Sequence, residues 1–251
     1  MKSARPTTGH GLALLLAATM LPAIAAAGPL RVAWGPHNAE PYAIVDGDRL
    51  VDGIIHDIGT LVAGRLAVPV EFVEVPRARN EEQLRSNRID VVCITNREWM
   101  ARPDDFLWSP RLFREAGAVI QRSGTAPWTQ LADLEGKRIG TIIGYRYPNV
   151  EPLFAADRAR RDDATDLASN MQRLAIGRLD AVIDSDIPAR WWLTHNDRTG
   201  RHAVAKFVTS RHDVQCAISP QNAGRRIHQT FRQLLDNGAL AGTLARYGIT
   251  D

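Results

Sequence analysis

Aromatic and charged side chains stand at or just after the ends of segments that read as strands. Trp34, His37 and Tyr42 accompany the apolar run LRVAW, and Tyr145 and Arg146 follow the run RIGTII and open a helix. Aromatic faces stack on the apolar or cationic part of a small molecule. A guanidinium group binds carboxylates through paired donors. These residue types predict a site for a small polar solute, and the alternative is that Trp34 and Tyr42 only pack the core.

Strings that carry catalysis or metal binding are absent from the sequence. It has no GxSxG nucleophile string and no phosphate-binding P-loop. Its His and Cys residues show no HxxxH or CxxC spacing, so we expect no metal and no cofactor. Glu98, Asp184 and Asp186 could form acid–base pairs, but their spacing does not require it. We therefore expect a binding protein rather than an enzyme.

The first 27 residues are typical of a secretory signal peptide. Lys2 and Arg5 give a positive start, residues 11–21 are apolar and uncharged, and residues 25–27 are three alanines. The apolar run is too short to span a bilayer. We expect cleavage after Ala27 and a periplasmic mature protein.

The net charge of the chain does not favour a nucleic-acid partner. The formal charge is +3, and it falls to about +1 when the two cations of the first segment, Lys2 and Arg5, are removed. No basic stripe alternates with aromatic residues, which excludes the usual nucleic-acid pattern.

The two cysteines, Cys93 and Cys216, lie in apolar runs that read as strands. Disulfides persist in an oxidising compartment, so a bridge between them is one interpretation. Two separate buried thiols are the other, because a free Cys packs like a small apolar side chain.

Strands and helices alternate along the chain after residue 28. Apolar residues recur at three- and four-residue steps over residues 54–66, which predicts a helix. Alternation of this kind favours a mostly parallel sheet with helices on its faces. The predicted strands cover residues 30–34, 68–75, 90–93, 116–121, 138–143 and 180–183, and then 204–208 and 214–218 as two separate strands.

Short strings distributed over the whole chain carry a resemblance to a known family. They are PY at 41–42, VDGIIHD at 51–57, WSP at 108–110, DLEGKRIG at 133–140, GRLDAV at 177–182, NG at 237–238 and YG at 247–248. In this order they resemble the bacterial extracellular solute-binding proteins of family 3, the polar amino-acid type of the type II periplasmic-binding fold.

The resemblance implies an α/β protein of two lobes with a ligand cleft between them. Lobe 1 would comprise residues 28–112 plus 212–251, and lobe 2 residues 113–211. Two hinge crossings, near residues 114–117 and 209–213, would let the lobes close on a ligand that lies outside the carboxyl ends of the strands.

The resemblance also implies an arginine that binds a ligand carboxylate. Counting back from Trp108 in the family's pattern gives Arg102, whereas the local string Thr95-Asn96-Arg97 favours Arg97. Arg97 lies nearer the end of its strand and is preferred, and Trp99 belongs to the same loop.

In lobe 2, the family places small hydroxyl residues where this chain has Tyr145 and Arg146, so anion binding would pass to the backbone and Arg146. The family's amine-binding carboxylate corresponds in position to Ser185, which is flanked by Asp184 and Asp186. A shift of one residue would restore a carboxylate. Helix capping is the alternative role for Ser185 and Asp186.

The function that the resemblance implies is capture of a small polar ligand, anionic or amino-acid-like, by a monomer that serves an ABC-type importer. Its partners would be the ligand and a membrane permease or receptor. The alternatives are a ligand sensor for a membrane receptor and a dehydratase-like periplasmic enzyme on the same fold.

Overall fold

The computed structural model describes residue 1, residues 28–221 and residues 223–250. Apart from residue 1, the predicted signal peptide lies outside these residues. None of the helices in the described part of the chain is long and apolar enough to cross a membrane.

The described residues form strands that alternate with helices, which confirms the predicted α/β fold. The strands are β1 (Leu30–Trp34), β2 (Ile44–Asp46), β3 (Arg49–Asp52), β4 (Val70–Glu74), β5 (Val91–Thr95), β6 (Leu107–Trp108), β7 (Phe113–Arg122), β8 (Arg138–Ile142), β9 (Arg160–Ala164), β10 (Ala181–Ser185) and β11 (His202–Ile218). The helices are α1 (Ile54–Leu66), α2 (Asn80–Arg85), α3 (Glu151–Ala155), α4 (Leu167–Ala175), α5 (Asp186–Asn196), α6 (Gly224–Asp236) and α7 (Ala239–Ala245).

Nine of these strands form one sheet, in the order β4-β1-β5-β11-β7-β10-β8-β9, with β6 also paired to β11. The two ends of the sheet are parallel: β1 pairs with β4 and β5, and β8 pairs with β9 and β10. In the middle, β11 runs antiparallel to β5 and β7. Strands β2 and β3 form a separate hairpin.

The apolar side chains are buried in separate clusters at the two ends of this sheet, and these define two lobes. In the first lobe, β1 and β5 pack against α1 and α6, with Ile58, Val62 and Phe231 fully buried. In the second lobe, β8 and β10 pack against α3 and α4, with Ile139 and Met171 fully buried. The lobe boundaries at residues 112 and 212 stay a prediction.

Both β7 and β11 run from one lobe into the other. Phe113 of β7 lies in the core of the first lobe, and Val119 of the same strand lies in the core of the second. The segments predicted as hinge crossings therefore lie inside continuous strands. At the crossing the strands approach closely, so a Cβ on Gly117 would clash with the hydroxyl of Thr209.

Strand β11 is a single strand, so the expectation of two separate late strands was wrong. The residues between the two predicted strands are polar, and side-chain hydropathy alone favours a loop there. The backbone nevertheless pairs with β7 through Arg211, His212 and Asp213. The pairing with β7 shifts its register before Val208 and again before Arg211, as at β-bulges.

Candidate ligand-binding site

A small cavity, here called the hinge cavity, lies between the lobes where β7 and β11 cross. Its volume is about 40 Å³. Its walls come from the first lobe (Arg77, Ile94, Trp99), the second lobe (Tyr145, Arg146, Tyr147, Ile183, Asp184, Ser185) and the crossing strands (Glu115, Gly117, Thr209, Ser210, His212). Ile94 and Ser185 lie at the carboxyl ends of β5 and β10, where open α/β sheets bind ligands.

Helix α1 positions Tyr42 over the crossing strand. The backbone N–H groups of Ile54 and Ile55, at the start of the helix, donate to the carbonyl oxygens of Pro41 and Tyr42 at 2.9 Å each. The helix start thus holds the preceding loop in place. The Tyr42 hydroxyl donates to Oε2 of Glu115, and both side chains are buried.

Two buried carboxyl groups make one side of the hinge cavity acidic. Burial raises the pKa of Glu115 to about 7, although hydrogen bonds from Tyr42 and Ser185 act in the opposite direction. Burial also raises the pKa of Asp184 to about 7, against a hydrogen bond of 2.7 Å from the backbone N–H of Ser185. A cation placed beside them would favour their charged forms.

Arginine side chains supply positive charge to the same cavity. The guanidinium carbon of Arg77 lies 5.7 Å from the ring centroid of Tyr145, and its Nη2 donates to the carbonyl of Trp99 at 3.4 Å. Burial, reinforced by the nearby charge of Arg146, lowers the pKa of Arg77. Arg146 itself is exposed. An anionic group would be bound on this side.

Polar atoms beside the cavity are left without partners. Among the described residues, the indole Nε1 of Trp99 and the hydroxyl of Thr95 are buried and make no hydrogen bond. A buried unpaired polar group costs about 1–3 kcal/mol. Next to Thr95, Ile94 has φ +54°, a region that a β-branched residue rarely adopts. Unpaired groups and strained backbone are features of functional sites, and a solute oxygen could accept from Trp99.

The side chain of Tyr145 occupies the space between the charged groups. Its ring lies against Arg77, and it meets His37 of the first lobe edge-on at a centroid distance of 6.2 Å. Burial, with the nearby charge of Arg77, lowers the pKa of His37 to about 3, so this histidine is neutral at physiological pH. Tyr145 therefore reduces the room for a solute.

Residues 30–248 match the bacterial extracellular solute-binding proteins, family 3. This protein belongs to that family.

Solved structures similar to this family 3 protein support the same fold. An ancestral arginine-binding protein bound to arginine superimposes with a TM-score of 0.76 at 21% identity, covering 88% of this chain and 98% of that chain. A periplasmic binding protein of Salmonella typhimurium with high arginine specificity gives a TM-score of 0.72 at 17% identity, covering 88% and 99%. These neighbours are binding proteins, and identity at this level shows the fold alone.

A stretch of 86 residues is 33% identical to the membrane-bound lytic murein transglycosylase F of Shewanella sp. (strain MR-4). The match covers 34% of this chain and 18% of that protein. The family 3 protein therefore matches only a short part of the sequence of that enzyme.

The structure brings some of the predicted ligand residues of this family 3 protein together and places others elsewhere. Trp99, Tyr145, Arg146, Asp184 and Ser185 line the hinge cavity. Tyr42 does not line the cavity, but its hydroxyl donates to Glu115, which does.

The two arginines predicted as carboxylate anchors do not line the hinge cavity. Arg97 pairs with Asp104 and lies over the ring of Trp108, and it is half-exposed. Arg102 is exposed, and its backbone N–H donates to Glu81 at 3.1 Å. Both lie on the loop after β5, and of that loop it is Trp99 that lines the cavity.

Trp34 and Asp186 also have roles outside the hinge cavity. Trp34 is buried in the core of the first lobe and borders a second cavity. Asp186 accepts from the backbone N–H of Ala116 at 2.9 Å and pairs with Arg190. It thus ties α5 to β7.

Sequence reasoning missed several residues of the hinge cavity, above all Arg77 and Glu115. Glu115 lies in β7 directly before the predicted strand of residues 116–121, and it falls within the predicted hinge crossing at 114–117, so it was assigned to the hinge and not to the site. Arg77 follows β4, which places it at the same sheet edge as the predicted residues. Thr209, Ser210 and His212 were assigned to the hinge and not to the site.

The structure contains the disulfide Cys93–Cys216, which sequence reasoning left open against two free thiols. It joins β5 to β11 within the first lobe, across 123 positions of the chain. The residue that follows Cys93 is Ile94, which lines the hinge cavity. The bridge therefore anchors the strand end that carries part of the site.

Proposed function

We propose that this protein binds a small zwitterionic, amino-acid-like solute in the periplasm and delivers it to the permease of an ABC-type importer. The family assignment supports an exported solute-binding protein. The pattern of the first 27 residues supports export through a signal peptide.

The observation that carries the proposal is the presence of both signs of charge around one cavity. Glu115 and Asp184 line this cavity and would bind a ligand cation, and Arg77 and Arg146 line it and would bind a ligand anion. The unpaired N–H of Trp99 adds a donor for a ligand oxygen. An α-amino acid carries an ammonium group, a carboxylate and acceptor oxygens close together, so it matches this set.

Binding requires the lobes to separate first. Small-molecule sites usually have volumes of roughly 300–1,000 Å³, whereas the hinge cavity has about 40 Å³. Rotation about β7 and β11, with withdrawal of Tyr145, would open the space. The lobes would then close again on the solute.

Calorimetry on residues 28–251 with a panel of amino acids, organic acids and amines tests the proposal. We expect at least one amino acid to bind, and Arg77→Ala and Arg146→Ala each to weaken it by about tenfold or more. Arg79→Ala is the matched control, because Arg79 is exposed two positions from Arg77. If no amino acid binds, or if Arg79→Ala has the same effect as Arg77→Ala, the site assignment is wrong.

Catalysis is a second candidate, and one observation favours it. A carboxyl group with a pKa of about 7 in contact with a tyrosine, as in Glu115 and Tyr42, is suited to general acid–base chemistry. Incubating the protein with the solutes that bind and following them by mass spectrometry decides the matter. Turnover that disappears in Glu115→Gln would support an enzyme, and unchanged solutes would exclude one.

A further inference from the structure

A second, larger cavity lies between the lobes, and it is here called the aromatic cavity. Its volume is about 440 Å³, within the range of small-molecule sites. The first lobe contributes Trp34, Glu40 and Glu74, and the second lobe contributes Asp166, Trp191 and Trp192. Among the described residues it shares none with the hinge cavity.

The contact between His37 and Tyr145 separates the two cavities. Tyr145 lines the hinge cavity, and the residues on either side of His37, Pro36 and Asn38, line the aromatic cavity. A molecule in the aromatic cavity would therefore lie beside the closed contact without having to break it.

The charge of the aromatic cavity is negative. Three carboxylates border it, and none of the described residues that line it is Lys or Arg. Glu40 accepts from the indole N–H of Trp191 at 3.1 Å, across the two lobes. Asp166 caps α4 by accepting from the backbone N–H of Ser169 at 2.7 Å. Glu74 is exposed and makes no ion pair with the described residues.

Indole rings form much of the remaining wall. Trp34 is the register partner of Glu74 in the parallel pair of β1 and β4, so the two residues are neighbours on adjacent strands. Trp191 and Trp192 are half-buried on α5. An indole face attracts a cation within about 6 Å of its centroid.

Asn38 supplies a hydrogen-bond donor at the aromatic cavity. Its side chain lines the aromatic cavity, and the residue is only 7% exposed. Its Oδ1 accepts from the backbone N–H of Gly35 at 3.0 Å, while its Nδ2 donates to none of the described residues. The Nδ2 is not among the buried unpartnered atoms, so it is accessible from the cavity and available to donate to an acceptor bound there.

We propose that the aromatic cavity binds an organic cation, an amine or guanidinium group attached to an apolar stem and accompanied by a hydrogen-bond acceptor. The three carboxylates neutralise the charge, the indole rings contact the stem, and Asn38 donates to the acceptor. The site goes beyond the proposed function, because it requires neither an amino acid nor an open hinge cavity.

Titration of residues 28–251 with butylguanidine and, separately, with butylurea tests this site. The two probes have nearly the same shape and differ in charge, and neither has a carboxylate for the hinge cavity. We expect butylguanidine to change the tryptophan fluorescence with a Kd of about 1 mM or tighter, and butylurea to bind at least about fivefold more weakly. Equal binding of both probes, or binding of neither, would overturn the proposal.

Glu74→Gln locates the binding, and Glu71→Gln is its control on the same strand, since Glu71 is exposed and does not line the aromatic cavity. We expect Glu74→Gln to weaken butylguanidine by about fivefold and Glu71→Gln to leave it unchanged. Equal melting temperatures would show that both variants are folded. If Glu115→Gln removes the binding and Glu74→Gln does not, the cation lies in the hinge cavity and the second site does not exist.

Discussion

The hydroxyl of Tyr145 donates a hydrogen bond of 3.1 Å to the backbone carbonyl of His37, 108 positions earlier in the chain. The two residues belong to different lobes, and the same tyrosine ring lines the hinge cavity. Under the proposed function, a solute that entered between Arg77 and Asp184 would displace this ring, which lies against Arg77.

Tyr145→Phe is expected to bind the solute more tightly. The variant keeps the ring but loses the hydrogen bond to His37, which is worth about 1 kcal/mol, so the closed unliganded form becomes less populated. Affinity should rise by about fivefold in calorimetry, and the radius of gyration without solute should increase in small-angle scattering. Tyr247→Phe is the control for loss of a tyrosine hydroxyl, because the hydroxyl of Tyr247 donates to Asp52 and Asp57 and does not line the hinge cavity. An unchanged radius and affinity would show that the contact does not hold the lobes together.

Glu115 should make the protein less stable as the pH rises. Its pKa is about 7 in the folded protein, above the ordinary value of 4.5, so the folded state holds a proton that the unfolded state has lost between these values. The melting temperature is expected to fall between pH 5 and pH 8, and Glu115→Gln should reduce that fall by on the order of 5 °C. Glu82→Gln, at an exposed carboxylate, serves as the control. The same slope in Glu115→Gln as in the unmodified protein would contradict the assignment.

Binding of a cationic group is expected to strengthen with pH over the same range. Asp184 and Glu115 lose their protons near pH 7, and only their charged forms attract an ammonium group. Calorimetry of the bound amino acid at pH 6 and pH 8 should show severalfold tighter binding at the higher pH. In Asp184→Asn both the affinity and its pH dependence should decrease. A pH-independent affinity would mean that the carboxyl groups do not face the ligand.

Loss of the Cys93–Cys216 bridge is expected to destabilise the first lobe. Removing a native disulfide costs about 2–5 kcal/mol, mainly because the unfolded chain becomes less constrained. The double variant Cys93→Ala/Cys216→Ala should melt at a lower temperature than the oxidised protein. A reducing agent should lower the melting temperature of the unmodified protein and leave the variant unaffected. If the reductant affects neither, the two cysteines are not bonded in solution.

The fold was predictable because its signals are spread over many residues. Apolar residues at helical spacing over α1 and the ordered strings from 41–42 to 247–248 agree with one another, so an error in one does not change the result. Strand β11 shows where this reasoning fails. Its central residues, from Thr209 to Asp213, are polar, and their strand conformation comes from pairing with β7 rather than from their own side chains.

The hinge cavity was only partly predictable, for a different physical reason. Tyr145, Arg146 and Asp184 follow strands, and the position of a strand end is visible in the sequence. Arg97 and Arg102 also follow a strand, but the direction of their loop depends on contacts with Glu81 and Asp104 that no local pattern specifies. Glu115 precedes the predicted strand of residues 116–121 and lies in the predicted hinge segment, and the crossing of β7 between the lobes brings it to the cavity.

The position of β11 in the sheet has a consequence for the order in which the chain folds. It lies between β5 and β7, so each of these strands exposes an unpaired edge until residues 202–218 have been synthesised. Neither half of the molecule can complete its hydrogen bonding while the ribosome is still making the first two hundred residues. The last fifth of the chain therefore completes the sheet in both lobes.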